Sequence, residues 1–227
     1  MFIVLEGIDG AGKGTQTKRL EKYLRSIDLD VCSFSFPGYE STRFGKIIGE
    51  YLNGKYGDDL DKFSELVAIL FAVDRFESHD LLTSNIKVRD VVLCDRYCSS
   101  NVGYGCAKLP EEGKKAHAEF LTWLDYELFG MPIPDLIIYL DIPVEFATQL
   151  IARKKKRCYT DKAEDLHEAD HNYLNKVASN YRSLVPDQTR YQKWVTVNLE
   201  RNGNLLHEDD VFQDIVSVVQ SFLQEQK

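Results

Sequence analysis

Residues 6–16 read Glu6-Gly7-Ile8-Asp9-Gly10-Ala11-Gly12-Lys13-Gly14-Thr15-Gln16, directly after the apolar run Phe2-Ile3-Val4-Leu5. Gly7, Gly12 and Lys13 match the spacing G-x-x-x-x-G-K-[ST], a loop between strand and helix whose backbone N–H groups cradle phosphates. Glycines at 7, 10, 12 and 14 let those N–H groups converge, and the helix predicted to begin near Gly14 adds its positive dipole end. Lys13 supplies a mobile positive charge for β- and γ-phosphates. Gly7, Gly10, Ala11, Gly12, Lys13, Gly14 and Thr15 are therefore the expected phosphate-binding residues. One position departs from the pattern: Gly14 follows the lysine, and the hydroxyl arrives one residue later, on Thr15. Magnesium must then rely on carboxylates, directly or through water, and Asp9 and Asp95 are the candidates.

Outward from this loop, Phe2–Leu5, Val31–Phe36, Val91–Cys94, Leu136–Leu140 and Trp194–Val197 are short runs rich in β-branched or aromatic residues. Between most of them the apolar residues recur at helical spacing. Helices are expected near Gly14–Ser26, Thr42–Leu52, Phe63–Lys87, Glu111–Phe129, Val144–Arg153, Glu164–Leu184 and Asp209–Gln224. Buried strands alternating with helices predict an α/β fold: a five-stranded parallel sheet flanked by helices, in which ligands bind beyond the carboxyl ends of the strands. Chemistry is then sought at Gly7–Thr15, Phe36–Tyr39, Asp95–Tyr97 and Asp141.

The chain has 227 residues, 44% of them apolar, with no Gly/Ser/Pro-rich break, which predicts a single domain over residues 1–227. No apolar run approaches the ~18 residues of a membrane span, so no membrane partner is expected and a cytoplasmic location is. Cys32, Cys94, Cys98, Cys106 and Cys158 are odd in number, form no C-x-x-C pair and mostly sit in apolar runs, as reduced buried thiols do. A formal charge of −8 argues against nucleic acid as a partner.

Val91-Val92-Leu93-Cys94-Asp95-Arg96-Tyr97 is an apolar strand ending in an acid and an arginine, which places both beside the phosphate loop. A solvated ion pair is the plain reading. An arginine aimed at a phosphate cleft has a more specific use, because its planar fork grips a second phosphate bidentately. On the predicted helix Phe63–Lys87, Phe71 and Arg75 share a face, where a ring could stack on a base while the guanidinium donates to its edge. Phe71 alone, inside Leu66-Val67-Ala68-Ile69-Leu70-Phe71, reads as core packing. Arg75 on the same face weighs against that, since an unpaired arginine is rarely buried.

Through FIVLEGIDGAGKGTQ, SFPGY, LFAVDRFE, DRYCSSNVGY, PDLIIYLDIP and HEADHNYLNKVASNY, the sequence from Phe2 to roughly Leu184 resembles the thymidylate kinases, P-loop enzymes that pass the γ-phosphate of ATP to dTMP. The resemblance implies that Phe71 stacks the thymine, Arg75 donates to its O4 and Arg96 grips the acceptor phosphate. Asp9 would sit between the sugar hydroxyl, magnesium and the acceptor phosphate. Ser100 and Asn101 fall where the family contacts base or phosphate. Tyr104 falls where a ring crowds the 2′ position, and Phe36, Pro37 and Tyr39 match the segment closing over the acceptor. A homodimer is also implied. Three glycines depart from the family pattern: Gly14 for Ser/Thr, Gly38 where several members carry a basic residue, and Gly105 where glutamine is often found.

Arg153-Lys154-Lys155-Lys156-Arg157 reads first as a solvated face or a localisation-like patch. In a phosphoryl-transfer enzyme it has another use, a lid over about 153–165 that brings an arginine onto the transferring phosphate. The phosphate loop carries Gly10 and Ala11 and no arginine of its own. The thymidylate kinases that this chain resembles place theirs in the lid, so Arg153 and then Arg157 are the expected catalytic residues beside Lys13, Asp9 and Arg96.

Four other readings compete. An inactive binding protein is one, against which Lys13, Asp95 and Arg96 all retain chemically competent side chains. A kinase for another monophosphate fits the GKGT ending. A deoxynucleoside kinase would need a carboxylate base at the acceptor 5′ position, whereas Arg75 and Arg96 suit a phosphate-bearing acceptor. A DNA-associated ATPase or nucleotide switch would need a second basic face, which the acidic chain lacks.

Overall fold

The computed structural model describes residues 1–57, 63–152, 170–185 and 193–225. Strands β1 (Phe2–Glu6), β2 (Val31–Ser35), β3 (Val91–Asp95), β4 (Leu136–Asp141) and β5 (Trp194–Asn198) form one sheet in the order β2-β3-β1-β4-β5, every pairing parallel. β1 is buried throughout, as are β3 and β4 up to their final acids. Parallel sheets are covered on both faces, which is why these strands read as unbroken apolar runs. Burying a Val, Leu or Ile side chain contributes ~1.5–3 kcal/mol, so this central sheet dominates the core.

Helix α1 (Lys13–Ser26) packs on β1, β2 and β3 and meets α9 (Glu208–Glu225), which rests on β5. On α8 (His171–Leu184) lie β4, α7 (Val144–Ala152) and α5 (Cys98–Gly105), and α5 continues the packing onto α3 (Ser64–Glu77) and α6 (Glu111–Thr122). Helices α2 (Arg43–Leu52) and α4 (His79–Val88) complete the cover, and a hairpin, β6 (Glu200–Arg201) with β7 (Asn204–Leu205), follows β5.

Three elements differ from their expected forms. The helix expected over Phe63–Lys87 is two, because Ser78 turns its N–H back to Arg75 O at 3.0 Å and its carbonyl then accepts from Leu82 N to start α4. The helix expected over Glu111–Phe129 is α-helical to Thr122 and π-helical from Trp123 to Leu128. Helix α5 was not expected; Gly103 and Gly105 weaken its local propensity. The expected helix Glu164–Leu184 is present as α8, and its residues before 170 lie outside the described ones.

Strand register brings the carboxyl ends together. Leu5 and Ser35 both pair with Asp95, and Glu6 pairs with Tyr139. The link is tightened where Arg96 N donates to Leu5 O and Phe36 N to Asp95 O, each at 3.0 Å.

Candidate active site

The phosphate loop leaves β1 at Glu6 and enters α1 at Lys13. Gly10 has φ +86°, and a β-carbon there would fall 2.4 Å from the backbone oxygen of Ala147 on α7, so only glycine fits this close approach. Lys13 is buried, and its Nζ donates to Gly7 O at 2.9 Å and Ile8 O at 2.8 Å, which holds the ammonium across its own loop. A cleft of about 690 Å³ is lined by Asp9, Gly10, Gly12, Lys13, Gly14, Thr15, Lys18, Asp95 and Arg96. Gly7 and Ala11 are not among the lining residues: the Gly7 carbonyl accepts from Lys13 Nζ, and Ala11 is buried with its N–H on Ile8 O.

Gly14, the departure from the usual motif, has a spatial partner. A β-carbon on Gly14 would lie 2.9 Å from Asp95 Oδ2, so the carboxylate fills space that a side chain would need. Asp95 makes no side-chain hydrogen bond or ion pair among the described residues.

Arg96, just beyond β3, adopts φ +68°, a left-handed backbone that costs a non-glycine residue about 1–3 kcal/mol and collects at functional sites. Its Nη2 lies 2.5 Å from Asp9 Oδ1 and 3.2 Å from the Tyr104 hydroxyl, which donates in turn to Asp9 Oδ2 at 2.7 Å. The Asp9 N–H donates to the same hydroxyl at 3.0 Å. Burial works against the charge on Arg96, but Asp9 and Tyr104 outweigh it and hold its pKa above the ordinary arginine value. Burial pushes the Tyr104 hydroxyl well up, so it stays protonated and able to donate.

A second cavity, with about 780 Å³ of space, gathers Asp9, Phe36, Pro37, Tyr39, Phe71, Arg75, Arg96, Ser100, Asn101 and Tyr104, which are all ten residues expected on the acceptor side. Phe71 and Arg75 reach it from α3, Ser100, Asn101 and Tyr104 from α5, and Phe36–Tyr39 from the turn after β2. Asp9 and Arg96 line both this cavity and the phosphate cleft.

The family model of thymidylate kinase matches residues 5–209. This chain is 30% identical over 202 residues to the thymidylate kinase of Mycobacterium tuberculosis (strain H37Rv), covering 88% of this chain and 92% of that one. It is 34% identical over 226 residues to the probable thymidylate kinase of Thermococcus onnurineus, covering 97% of each, and 34% identical over 159 residues to the thymidylate kinase of Caenorhabditis elegans, covering 66% of each. The chain belongs to the thymidylate kinase family.

Several thymidylate kinase family departures and unforeseen residues acquire a physical setting here. A β-carbon at Gly38 would crowd Ser41 Oγ at 2.6 Å, and one at Gly105 would press on His117 Nε2 at 3.2 Å. Asp74, buried on α3, accepts from the Gly38 N–H and from the Thr42 hydroxyl, which pins the turn carrying Pro37 and Tyr39. Burial raises its pKa, against the lowering by Thr42 and Gly38. Lys108 donates to the Tyr51 hydroxyl at 3.0 Å and lies 5.6 Å from the centre of the Tyr173 ring; both Lys108 and Tyr173 line the second cavity. Glu6, fully buried beneath the loop, gathers donors from Tyr97, Ser99, Ser100 and Tyr181. An acid at the end of an apolar strand was the one sequence signal for Glu6. Arg153 and Arg157 lie outside the described residues.

Proposed function

We propose that the protein transfers the γ-phosphoryl group of ATP to dTMP, giving ADP and dTDP. The observation that carries this reading is the meeting of two cavities at Asp9 and Arg96, one lined by the phosphate loop and the other by Phe71, Arg75 and Tyr104. A donor phosphate in the first and an acceptor phosphate in the second would face each other across those two side chains.

Lys13 exchanges its loop carbonyls for β- and γ-phosphate oxygens as ATP binds. Arg96 grips the acceptor phosphate, with Asp9 and Tyr104 keeping its guanidinium in place. Phe71 stacks the thymine, Arg75 donates to its carbonyl edge, Ser100 and Asn101 complete the contacts, and the Tyr104 ring leaves no room for a 2′-hydroxyl. Phe36, Pro37 and Tyr39 close over the acceptor. No strong general base is needed, because a monophosphate with a second pKa around 6 is already largely ionised near neutral pH. Catalysis then rests on alignment and on positive charge aimed at the transferred group.

Hard carboxylate oxygens at Asp95, without a partner among the described residues, and at Asp9, which lines the same cleft, suit Mg²⁺, which takes one or two carboxylates and otherwise waters and phosphates. Asp95 and Asp9 would hold the ion, which when bound neutralises charge on the β- and γ-phosphate oxygens. A lid over about 153–165 that brings Arg153 or Arg157 onto the transferring phosphate completes this reading, on residues outside the described ones.

The same proposal covers one P-loop kinase domain over residues 1–227, cytoplasmic and homodimeric, with neither nucleic acid nor membrane as a partner. Exposed Phe63 and Leu66 near the start of α3 and Trp123 and Leu128 beyond α6 support the dimer, and the free thiols of Cys32, Cys94, Cys98 and Cys106 support a reducing compartment. Among the described residues no helix is long and apolar enough to cross a membrane.

A coupled phosphotransfer assay with ATP and Mg²⁺ tests the proposal by comparing dTMP, dUMP, the ribose form of TMP, CMP and AMP at equal concentration. Strong preference for dTMP is expected. Preference for AMP or CMP overturns the acceptor assignment, and rapid ATP hydrolysis without any acceptor contradicts the mechanism.

A further inference from the structure

Arg75 and Asp125 lie 50 residues apart in the chain and form a buried ion pair at one wall of the acceptor cavity. Their side chains are 3% and 1% exposed. Arg75 Nη2 donates to both Asp125 oxygens, at 2.8 and 2.9 Å, and Nε donates to Oδ1 at 3.2 Å. This fork fixes the guanidinium plane, as a point contact from lysine could not. Nη1 has no hydrogen bond among the described residues, and Arg75 lines the cavity while Asp125 lies behind it.

The carboxylate arrives on an unusual element. Trp123–Leu128 is a π-helix, with Phe129 N bonded to Leu124 O at 3.1 Å. π-Helical turns are rare and often mark functional sites. Asn101 and Cys98 on α5 flank the Asp125 carboxylate, and Asn101 also lines the cavity while its Nδ2 donates to Ala68 O. A buried acid with an apolar alternative close at hand in sequence, between Leu124 and Leu128, calls for a reason beyond packing, because a hydrophobic residue would avoid the desolvation of a charge.

We propose that Asp125 is a positioning residue that locks the Arg75 guanidinium so that Nη1 points at the base, and that it thereby sets preference for a pyrimidine with a 4-carbonyl over one with a 4-amino group. This rests on the reading of the cavity as the dTMP site. A donor held rigidly meets an acceptor well and meets an amino group donor to donor. An arginine free to turn away would lose that repulsion along with the attraction.

The test compares dTMP and dCMP as acceptors for wild type, Asp125→Asn, Arg75→Met and the double variant, all with saturating ATP and Mg²⁺. The expected result for Asp125→Asn is a KM for dTMP raised about tenfold or more, kcat within about threefold of wild type, and a dTMP-to-dCMP preference reduced at least tenfold. In the Arg75→Met background the same change should alter KM by less than about twofold, since Asp125 acts through Arg75. An unchanged preference in Asp125→Asn, a loss shared equally by both acceptors, or full additivity in the double variant overturns the proposal. A measurement on wild-type protein reads the lock directly, with Arg75→Met used only to assign the signals. With ¹⁵N-labelled arginine, the signals missing in Arg75→Met should show a guanidinium with hindered rotation before dTMP is added. Free rotation overturns the proposal. A wild type indifferent between dTMP and dCMP removes the underlying site reading, whereas a selective wild type whose selectivity survives Asp125→Asn removes this inference alone.

Discussion

The carboxylate of Asp95 faces the α-carbon of Gly14 so closely that a β-carbon at position 14 would come within 2.9 Å of Asp95 Oδ2. The missing hydroxyl of the phosphate loop and the approaching carboxylate are therefore two sides of one arrangement. Gly14→Ser should push Asp95 aside rather than restore a metal ligand. Asp95 Oδ2 is the far end of a flexible side chain and can shift at little cost to the fold, so the effect of Gly14→Ser should appear at the metal, as a higher Mg²⁺ concentration needed for half-maximal rate. Asp95→Asn should raise that concentration further and lower kcat. Titrating the rate with Mg²⁺ checks both, and a fully active Gly14→Ser with an unchanged Mg²⁺ requirement contradicts the account.

Lys13 is held by two carbonyls of its own loop, Gly7 O and Ile8 O, at the mouth of the phosphate cleft. Lys13→Ala removes a donor aimed where charge develops, a loss worth roughly 10²–10³ in kcat. The acceptor cavity does not include Lys13, so dTMP binding measured by calorimetry should stay within about threefold of wild type. Equal loss of dTMP affinity would mean that Lys13 serves the fold rather than the transfer.

The features legible in sequence were the local ones. The phosphate loop shows itself because its strand, glycines and lysine are contiguous, and β1, β3 and β4 show themselves because burial on both faces leaves unbroken apolar runs, while β2 and β5, at the sheet edges and partly exposed, show only their β-branched and aromatic residues. Arg75 and Phe71 were visible as a pair on one helix face. The partner of Arg75 was not, because Asp125 lies 50 residues away and its one local sign is an acid on the buried stripe His117, Leu121, Leu124, Asp125. Helix α5 was hidden by Gly103 and Gly105, and it forms through packing on α3, α6 and α8. Asp74 was read only as part of a motif, since the Gly38 N–H and Thr42 hydroxyl that it holds come from a distant turn.

Tyr104 combines a polar tip with a ring, and the two separate by substitution. The hydroxyl bridges Asp9 and Arg96, while the ring borders the acceptor cavity and lies 5.0 Å from the Arg96 guanidinium carbon. Tyr104→Phe should loosen Arg96 and reduce kcat/KM for dTMP about tenfold, as loss of a hydrogen bond to a charged group costs about 1.5–3 kcal/mol. Discrimination against the ribose form should survive. Tyr104→Ala should lose that discrimination as well. Specificity constants for the deoxy and ribose acceptors decide the matter, and ribose rejection that persists in Tyr104→Ala rules out the ring as its source.

His117 gives stability a pH dependence. Among the described residues its Nε2 is buried without a hydrogen-bond partner, and burial lowers the imidazole pKa below 6.5, with Glu65 opposing. Because the folded pKa is the lower one, the unfolded chain takes up the proton first. The contribution of His117 is therefore intact above about pH 6.5 and is lost as pH falls through the folded value. Thermal unfolding between pH 7.5 and 5 should show Tm declining, and His117→Leu should have a shallower decline than wild type. Parallel slopes would exclude His117 as the cause.

Glu6 binds the loop region to α5. Its Oε1 accepts from Tyr97 N at 2.9 Å, Ser99 Oγ at 2.8 Å and Ser100 N at 3.1 Å, and its Oε2 accepts from Ser100 Oγ at 2.7 Å and the Tyr181 hydroxyl at 2.8 Å. The carboxylate also lies at the start of α5, where a helix dipole favours negative charge. Glu6→Ala would strand several buried donors, each costing about 1–3 kcal/mol when left unmade, so a loss of at least about 3 kcal/mol is expected. For a chain of this size that lowers Tm by roughly 6–12 °C. Since Ser100 and Tyr97 also line the acceptor cavity, KM for dTMP should rise alongside. Glu6→Gln keeps the shape but turns an amide N–H toward a donor, so it should recover only part of either loss. Tm within 2 °C of wild type for Glu6→Ala would show that water replaces the carboxylate at little cost and that α5 is held by packing alone.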